Sequence, residues 1–196
     1  GDEVIVTYYY KKVSRDVNLV KYQEDGVTPL EGAKFAIENK DDSKNNIIKA
    51  EEIRNNGTYY FENDNGKYIS NNKNKSSTTA NSYIKIDMTN SMEDATVTVN
   101  AEISSEGNYD YGYATITQAE TAPAYNTSTG RFVYISGSQS AKDYSATLKK
   151  GSIYYLHLGY RKDGGGNTGT DTFTVNSIKI NDIDYLAYTK DLYYTT

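Results

Sequence analysis

Short runs of alternating apolar and polar residues, separated by polar or glycine-bearing turns, govern what this chain can become. In "ATVTVNAEI", Val97, Val99, Ala101 and Ile103 fall on one side of an extended strand, and Thr96, Thr98, Asn100 and Glu102 on the other. A strand with one dry and one wet face needs a second layer to cover it. The same texture recurs in "TYYFEN", "SYIKIDM", "YGYATIT", "RFVYIS", "DYSATL", "SIYYLHLGY" and "DTFTVNSIKI", with no long helical pattern between them. These segments predict an all-β fold: a two-sheet antiparallel β-sandwich, jelly-roll-like, with a small additional N-terminal β segment. One segment breaks its own period. Phe173 and Val175 set an apolar face that Ile178 and Ile180 resume one residue late, which predicts a β-bulge between Val175 and Ile178.

The text changes character near residue 39, where "NKDDSKNNIIKAEEIRNN" turns polar; it reads as a connection with one helical turn near Ile48 to Ile53. This divides the chain into an N-terminal β segment over 1–56, a sandwich over 57–182, and a tail or strand over 183–196. The tail, "DIDYLAYTKDLYYTT", is too apolar for a free linker and is expected to complete a sheet with the N-terminal segment.

With 196 residues the chain can bury a core without disulfides. Only 37% of it is hydrophobic, but 21 tyrosines supply ring area for burial, each with a hydroxyl that needs a partner. The net charge of −5, from 26 acids and 21 bases spread along the chain, leaves no basic stripe for a phosphate backbone, so no nucleic-acid partner is expected. No apolar run approaches the roughly 20 residues that span a bilayer, so no membrane insertion is expected either. There is no signal-peptide pattern at the start; if secreted, the sequence is expected to be a mature part of a longer chain.

The absence of cysteine removes thiolate metal sites and cysteine nucleophiles, and His157 alone cannot form a two-histidine zinc motif. A serine triad would have to be built on that one histidine, which shares a strand with Leu156, Leu158 and Tyr160 but faces the other way. No enzymatic activity is expected.

"VNLVKYQEDGVTPLEGAKFAIE", Val17 to Glu38, resembles the opening of the Cna-B or SpaA-type domains of Gram-positive surface proteins, in the lysine-bearing strand and the "PLEGAKF" turn. The resemblance implies an isopeptide bond made by that lysine, here Lys21, helped by a buried acid. "TQAETAPAY" is similar to the family's acid segment and places Glu120 there, with Ala124 in place of the usual glycine. The alternative for Lys21 is a solvated edge-strand lysine.

A longer stretch, about 59–182, resembles the jelly-roll modules repeated in large bacterial surface proteins, similar to MAM and carbohydrate-binding sandwiches. "SSEGNYDYGYATI" and "GSIYYLHLGYRKDGGGNTGTDTFTVNSIKI" carry the likeness, through Gly151, Leu156, Tyr160, Lys162, Asp163, Gly169 and Asp171. It implies a cell-surface adhesin module without a cofactor, with a possible structural calcium whose ligands correspond to Glu62 and Asp171.

Two loops are the candidate binding elements. Around 104–113, Tyr109, Tyr111 and Tyr113 offer aromatic faces to a pyranose ring, with Glu106 and Asp110 accepting sugar hydroxyls. Alternatively, the tyrosines pack and the two acids tie the loop to backbone amides. In "YRKDGGGNTGTD", Tyr160, Lys162 and Asp163 precede a glycine-rich excursion that is either a ligand loop or a plain hairpin. The two loops make one site only if they meet at the same end of the sandwich. The function read from all this is a non-catalytic module of an extracellular, cell-wall or cell-surface protein, binding a glycan or a host surface or matrix ligand as a monomeric unit of a longer chain. The alternatives are a purely structural stalk and a carbohydrate-binding module of a secreted enzyme.

Overall fold

The computed structural model describes residues 22, 23, 25–28, 34–36, 47–189 and 193–195. By its contacts the chain forms two compact units: one of 1–44 with 190–196, and a larger one of Asn45–Thr189. Lys21 and the "PLEG" turn lie outside the described residues.

In the smaller unit, β1 (Lys34–Ala36) pairs antiparallel with β14 (Tyr193–Thr195). A turn before it is closed by Asp25, whose carboxylate accepts the Val27 and Thr28 amides, both at 2.9 Å, with Gly26 at φ +69°. Aspartate followed by glycine suits such a turn because the carboxylate replaces a backbone acceptor and glycine enters the left-handed region without strain.

The larger unit is an all-β, two-sheet antiparallel sandwich. One sheet runs β10 (Ser138–Leu148), β7 (Ala95–Ser104), β12 (Thr172–Ile180), β5 (Lys67–Ser70), β4 (Phe61–Asp64), with β13 (Ile183–Asp184) on β12. The other runs β2 (Ile47–Ala50), β6 (Thr79–Asn90), β11 (Ile153–Arg161), β8 (Tyr111–Thr117), β9 (Arg131–Ile135), with β3 (Arg54–Asn55) on β6. From β6 to β12 the chain changes sheet at most connections, in the jelly-roll manner.

Alternation explains the core. Val97, Val99 and Ala101 of β7 are fully buried and face Ile84, Ile86, Leu156 and Leu158 from the opposite sheet within one cluster. Phe61 and Phe173 close it edge to face at 5.9 Å. In β12 the pairing with β7 shifts between Val175 and Ser177, so the extra residue, Asn176, steps out of the ladder and returns Ile178 and Ile180 to the buried face. The period break therefore marks a bulge, as expected.

The polar stretch near residue 48 departs from its sequence reading. Ile47–Ala50 is a strand on the edge of β6, Ile48 and Ala50 are buried, and no helical turn forms there. Two apolar residues on the core side outweigh the polar composition around them. "ENDNGK" also folds back as a hairpin. Asn65 (φ +52°) and Gly66 (φ +87°) both take the left-handed conformation that a two-residue hairpin turn demands. Beyond β13, Tyr185 is buried, and its hydroxyl meets that of Tyr68 at 2.7 Å, so the first part of the tail belongs to the sandwich.

Candidate functional site

Both candidate loops emerge from β8 and β11, which are neighbours, and they meet. Arg161 donates to the Tyr109 carbonyl at 2.8 Å, and the Asp163 amide donates to Asp110 Oδ1 at 2.9 Å. The Thr170 amide donates to Ser104 Oγ at 3.0 Å, closing the far side. Gly166, at φ +59°, lies against Glu106 so closely that a Cβ there would sit 1.7 Å from Oε2. Backbone approach is the reason for glycine at that point.

Inside this end lies an ion triad. Lys162 Nζ donates to Asp110 Oδ2 at 2.9 Å and also to Asp171 Oδ1, and all three side chains have at most 1% of their surface exposed. The Tyr160 hydroxyl donates to Asp171 Oδ1 at 2.9 Å and the Asn74 amide to Oδ2 at 2.7 Å. Buried charges persist only when paired and hydrogen-bonded, and here each carboxylate has a cation and a backbone amide. Burial pushes the Lys162 pKa down, but its bonds to Asp171 and Asp110 outweigh that and hold it above the usual lysine range. Burial, and then the bond to Asp171, raises the Tyr160 hydroxyl well above its ordinary value.

Of the residues singled out from sequence, then, Tyr160, Lys162 and Asp110 are interior, and Asp163 anchors the loop through its amide and a bond from the Gly165 amide. Asp171 belongs to the triad, whereas Glu62 accepts from Asn71 Nδ2 at 3.1 Å on an exposed strand. Among the described residues no group of three His, Asp or Glu side chains is arranged to hold a metal ion. Glu120 is exposed and accepts from the Tyr83 hydroxyl.

The outer face of the β6–β11–β8–β9 sheet carries the accessible part. Its cross-strand rows are Tyr83, His157, Thr115 and Arg131; Asn81, Gly159, Tyr113 and Tyr134; and Thr79, Arg161 and Tyr111. Tyr113 lies flat across Gly159, where a Cβ would stand 2.0 Å from its Cζ, and burial pushes its pKa up to about 12. The Nε2–H of His157 donates to the Ala119 carbonyl at 3.0 Å, and Nδ1 has no partner among the described residues. Burial lowers the His157 pKa, which keeps the ring neutral.

At the β8–β9 edge of this face, Tyr111 and Tyr134 stack with ring centres 4.6 Å apart and planes 3° from parallel. The Arg131 guanidinium lies 3.7 Å from the centre of the Tyr134 ring, and that of Arg161 lies 4.6 Å from the centre of Tyr125. Tyr109 and Tyr134 remain 54% and 40% exposed. Sequence reading found Tyr109 and Tyr111 but missed Tyr134, Tyr125, Arg131 and Arg161. The signal existed for two of these. Val133 and Ile135 face inward, which turns Tyr134 out, and the parity of Leu156, Leu158 and Tyr160 turns Arg161 out and Lys162 in.

No protein-family model and no curated protein matches the sequence. Among solved structures, the secreted serine protease VesC from Vibrio cholerae is similar in backbone, with a TM-score of 0.45 and 11% identity over 76% of this chain. The chain spans 28% of that protein's length.

Proposed function

We propose that the Asn45–Thr189 unit is a non-catalytic ligand-binding module of an extracellular, cell-surface adhesin, taking a glycan or a host surface or matrix ligand on the Tyr109, Tyr111 and Tyr134 edge of its outer sheet. The observation that carries this reading is the stacked Tyr111–Tyr134 pair, with Tyr134 40% exposed and Tyr111 half-buried, on a sheet face beside two loops locked together by a buried ion triad. Rigid aromatic surface lowers the entropy lost on binding, and tyrosine rings suit both the apolar face of a sugar and a protein contact. The neutral, backbone-bound His157 fits a module that binds and does not turn over its ligand. Within this proposal the N-terminal segment is a Cna-B-like neighbour in a longer surface chain.

The test is an array of glycans and extracellular-matrix proteins probed with the full chain, with and without calcium, against a Tyr111→Ala/Tyr134→Ala variant. Binding by the parent that the variant loses supports the module. No binding to any spot under either condition overturns it and leaves the structural stalk.

A further inference from the structure

We infer that the Tyr–Arg edge is built for an acidic polysaccharide, one whose sugars carry carboxylate or sulfate groups. This rests on the ligand-binding reading above and names the ligand's chemistry.

Of the three described arginines, Arg54 has a carboxylate within 4.0 Å, in Glu51. Arg131 and Arg161 have none among the described residues. Each instead donates one N–H to a backbone carbonyl, Arg131 to Tyr125 at 3.0 Å and Arg161 to Tyr109 at 2.8 Å, and holds its guanidinium over a tyrosine ring. A guanidinium carries five N–H donors in a rigid fork. Contact with a ring holds that fork in place and leaves most of its edge unpaired.

The two forks lie close together. The Arg161 position is directly opposite Tyr111 across the sheet, Tyr111 stacks on Tyr134, and Arg131 covers Tyr134. Tyr125 links them, since it receives the Arg131 hydrogen bond and lies under Arg161. The result is an aromatic surface with a cation over each of two rings, on a molecule whose net charge is −5. A neutral glycan would use the rings and leave both forks unmatched. An acidic glycan uses both, with the sugar against the exposed Tyr109 beside the stacked pair and the anion in a bidentate arginine contact. The net negative charge of the rest of the molecule repels every polyanion alike, so it is the tyrosine contacts that favour an acidic glycan over a polyanion that cannot stack.

The experiment measures binding of the full chain by affinity electrophoresis in gels containing dextran sulfate, polygalacturonate, neutral dextran or poly-glutamate. Retardation by dextran sulfate, polygalacturonate or both, weakening as salt rises from about 50 to 500 mM, is expected, with little by dextran or poly-glutamate. Arg131→Ala/Arg161→Ala reduces the affinity at least tenfold, and Arg131→Lys/Arg161→Lys, which keeps the charge but loses the fork, falls between. Preference for one polyanion tells whether sulfate or carboxylate is the bound group. Equal retardation by poly-glutamate, or acidic-glycan binding unchanged in the double alanine variant, overturns the inference. Neutral-glycan binding lost in Tyr111→Ala/Tyr134→Ala but kept in the arginine variants overturns this inference alone; no glycan or matrix binding at all overturns the module reading as well. Circular dichroism and Tm of each variant separate loss of binding from loss of fold.

Discussion

Replacing Lys162 with methionine keeps most of the apolar stem and removes the terminal ammonium, with its charge and its hydrogen bonds to both carboxylates. What remains is two carboxylates, Asp110 and Asp171, in a space that water does not reach, both previously bound to the same Nζ. Removing one partner of a buried ion pair costs about 3–5 kcal/mol, because the survivors keep their desolvation penalty and now repel one another. The loss compares with a total stability of about 5–15 kcal/mol for a domain. For a unit of about 145 residues, an unfolding entropy of roughly 2.1 cal/mol/K per residue converts this to a fall in Tm of about 10–16 °C. Thermal unfolding of the full chain followed by circular dichroism at pH 7 measures it. Asp110→Asn, which leaves Lys162 paired with Asp171 and keeps an acceptor for the Asp163 amide, costs less. A Tm drop below about 3 °C for Lys162→Met would show that the three groups are not desolvated as described and would sink the reasoning.

Other outcomes follow from the same geometry. In the parent chain the Lys162 pKa is raised, so the triad's contribution is complete below the ordinary lysine value of 10.5 and is lost only as pH rises through the higher folded value; alkaline denaturation of the parent and of Lys162→Met should converge there. His157 has the opposite sign: its lowered pKa gives stability that is present above 6.5 and lost as pH falls, so urea melts of His157→Gln should vary less between pH 7 and 5 than those of the parent. Gly112→Ala would place a Cβ 2.4 Å from Phe173 Cδ2 in the core, and equilibrium unfolding should show a loss of about 1–3 kcal/mol from overpacking. Gly159→Ala should lift Tyr113 off the sheet, and ultraviolet titration should then show one tyrosine moving from about 12 toward 10.

Period two made most of the sandwich legible. It assigned the faces of β7 from four residues and located the β12 bulge from the late return of Ile178. It failed at β2, where only Ile48 and Ala50 signal a strand and the edge pairing with β6 supplies the rest. The site was harder to read because "YDY" and "YRKD" hold inward and outward residues side by side. Composition marks all of them as suitable for a ligand; strand parity separates Arg161 from Lys162, but Tyr109 and Asp110 precede β8, where only tertiary structure shows that Asp110 serves the interior and Tyr109 faces water. Tyr125 came from a loop without periodicity, so only tertiary structure could bring it to Arg161.

That side-by-side arrangement has a consequence for how such a module can diverge. Around residues 109–111 and 160–162, each surface residue is chained to a neighbour that holds the loops in place. Tyr109 and Arg161 can therefore be exchanged for other side chains while the triad keeps the scaffold in register. Insertion or deletion of a single residue there has no such freedom. It would exchange the faces, carrying Lys162 into water and Arg161 into the interior, so a tolerated change and unfolding are separated by the difference between a substitution and a one-residue slip.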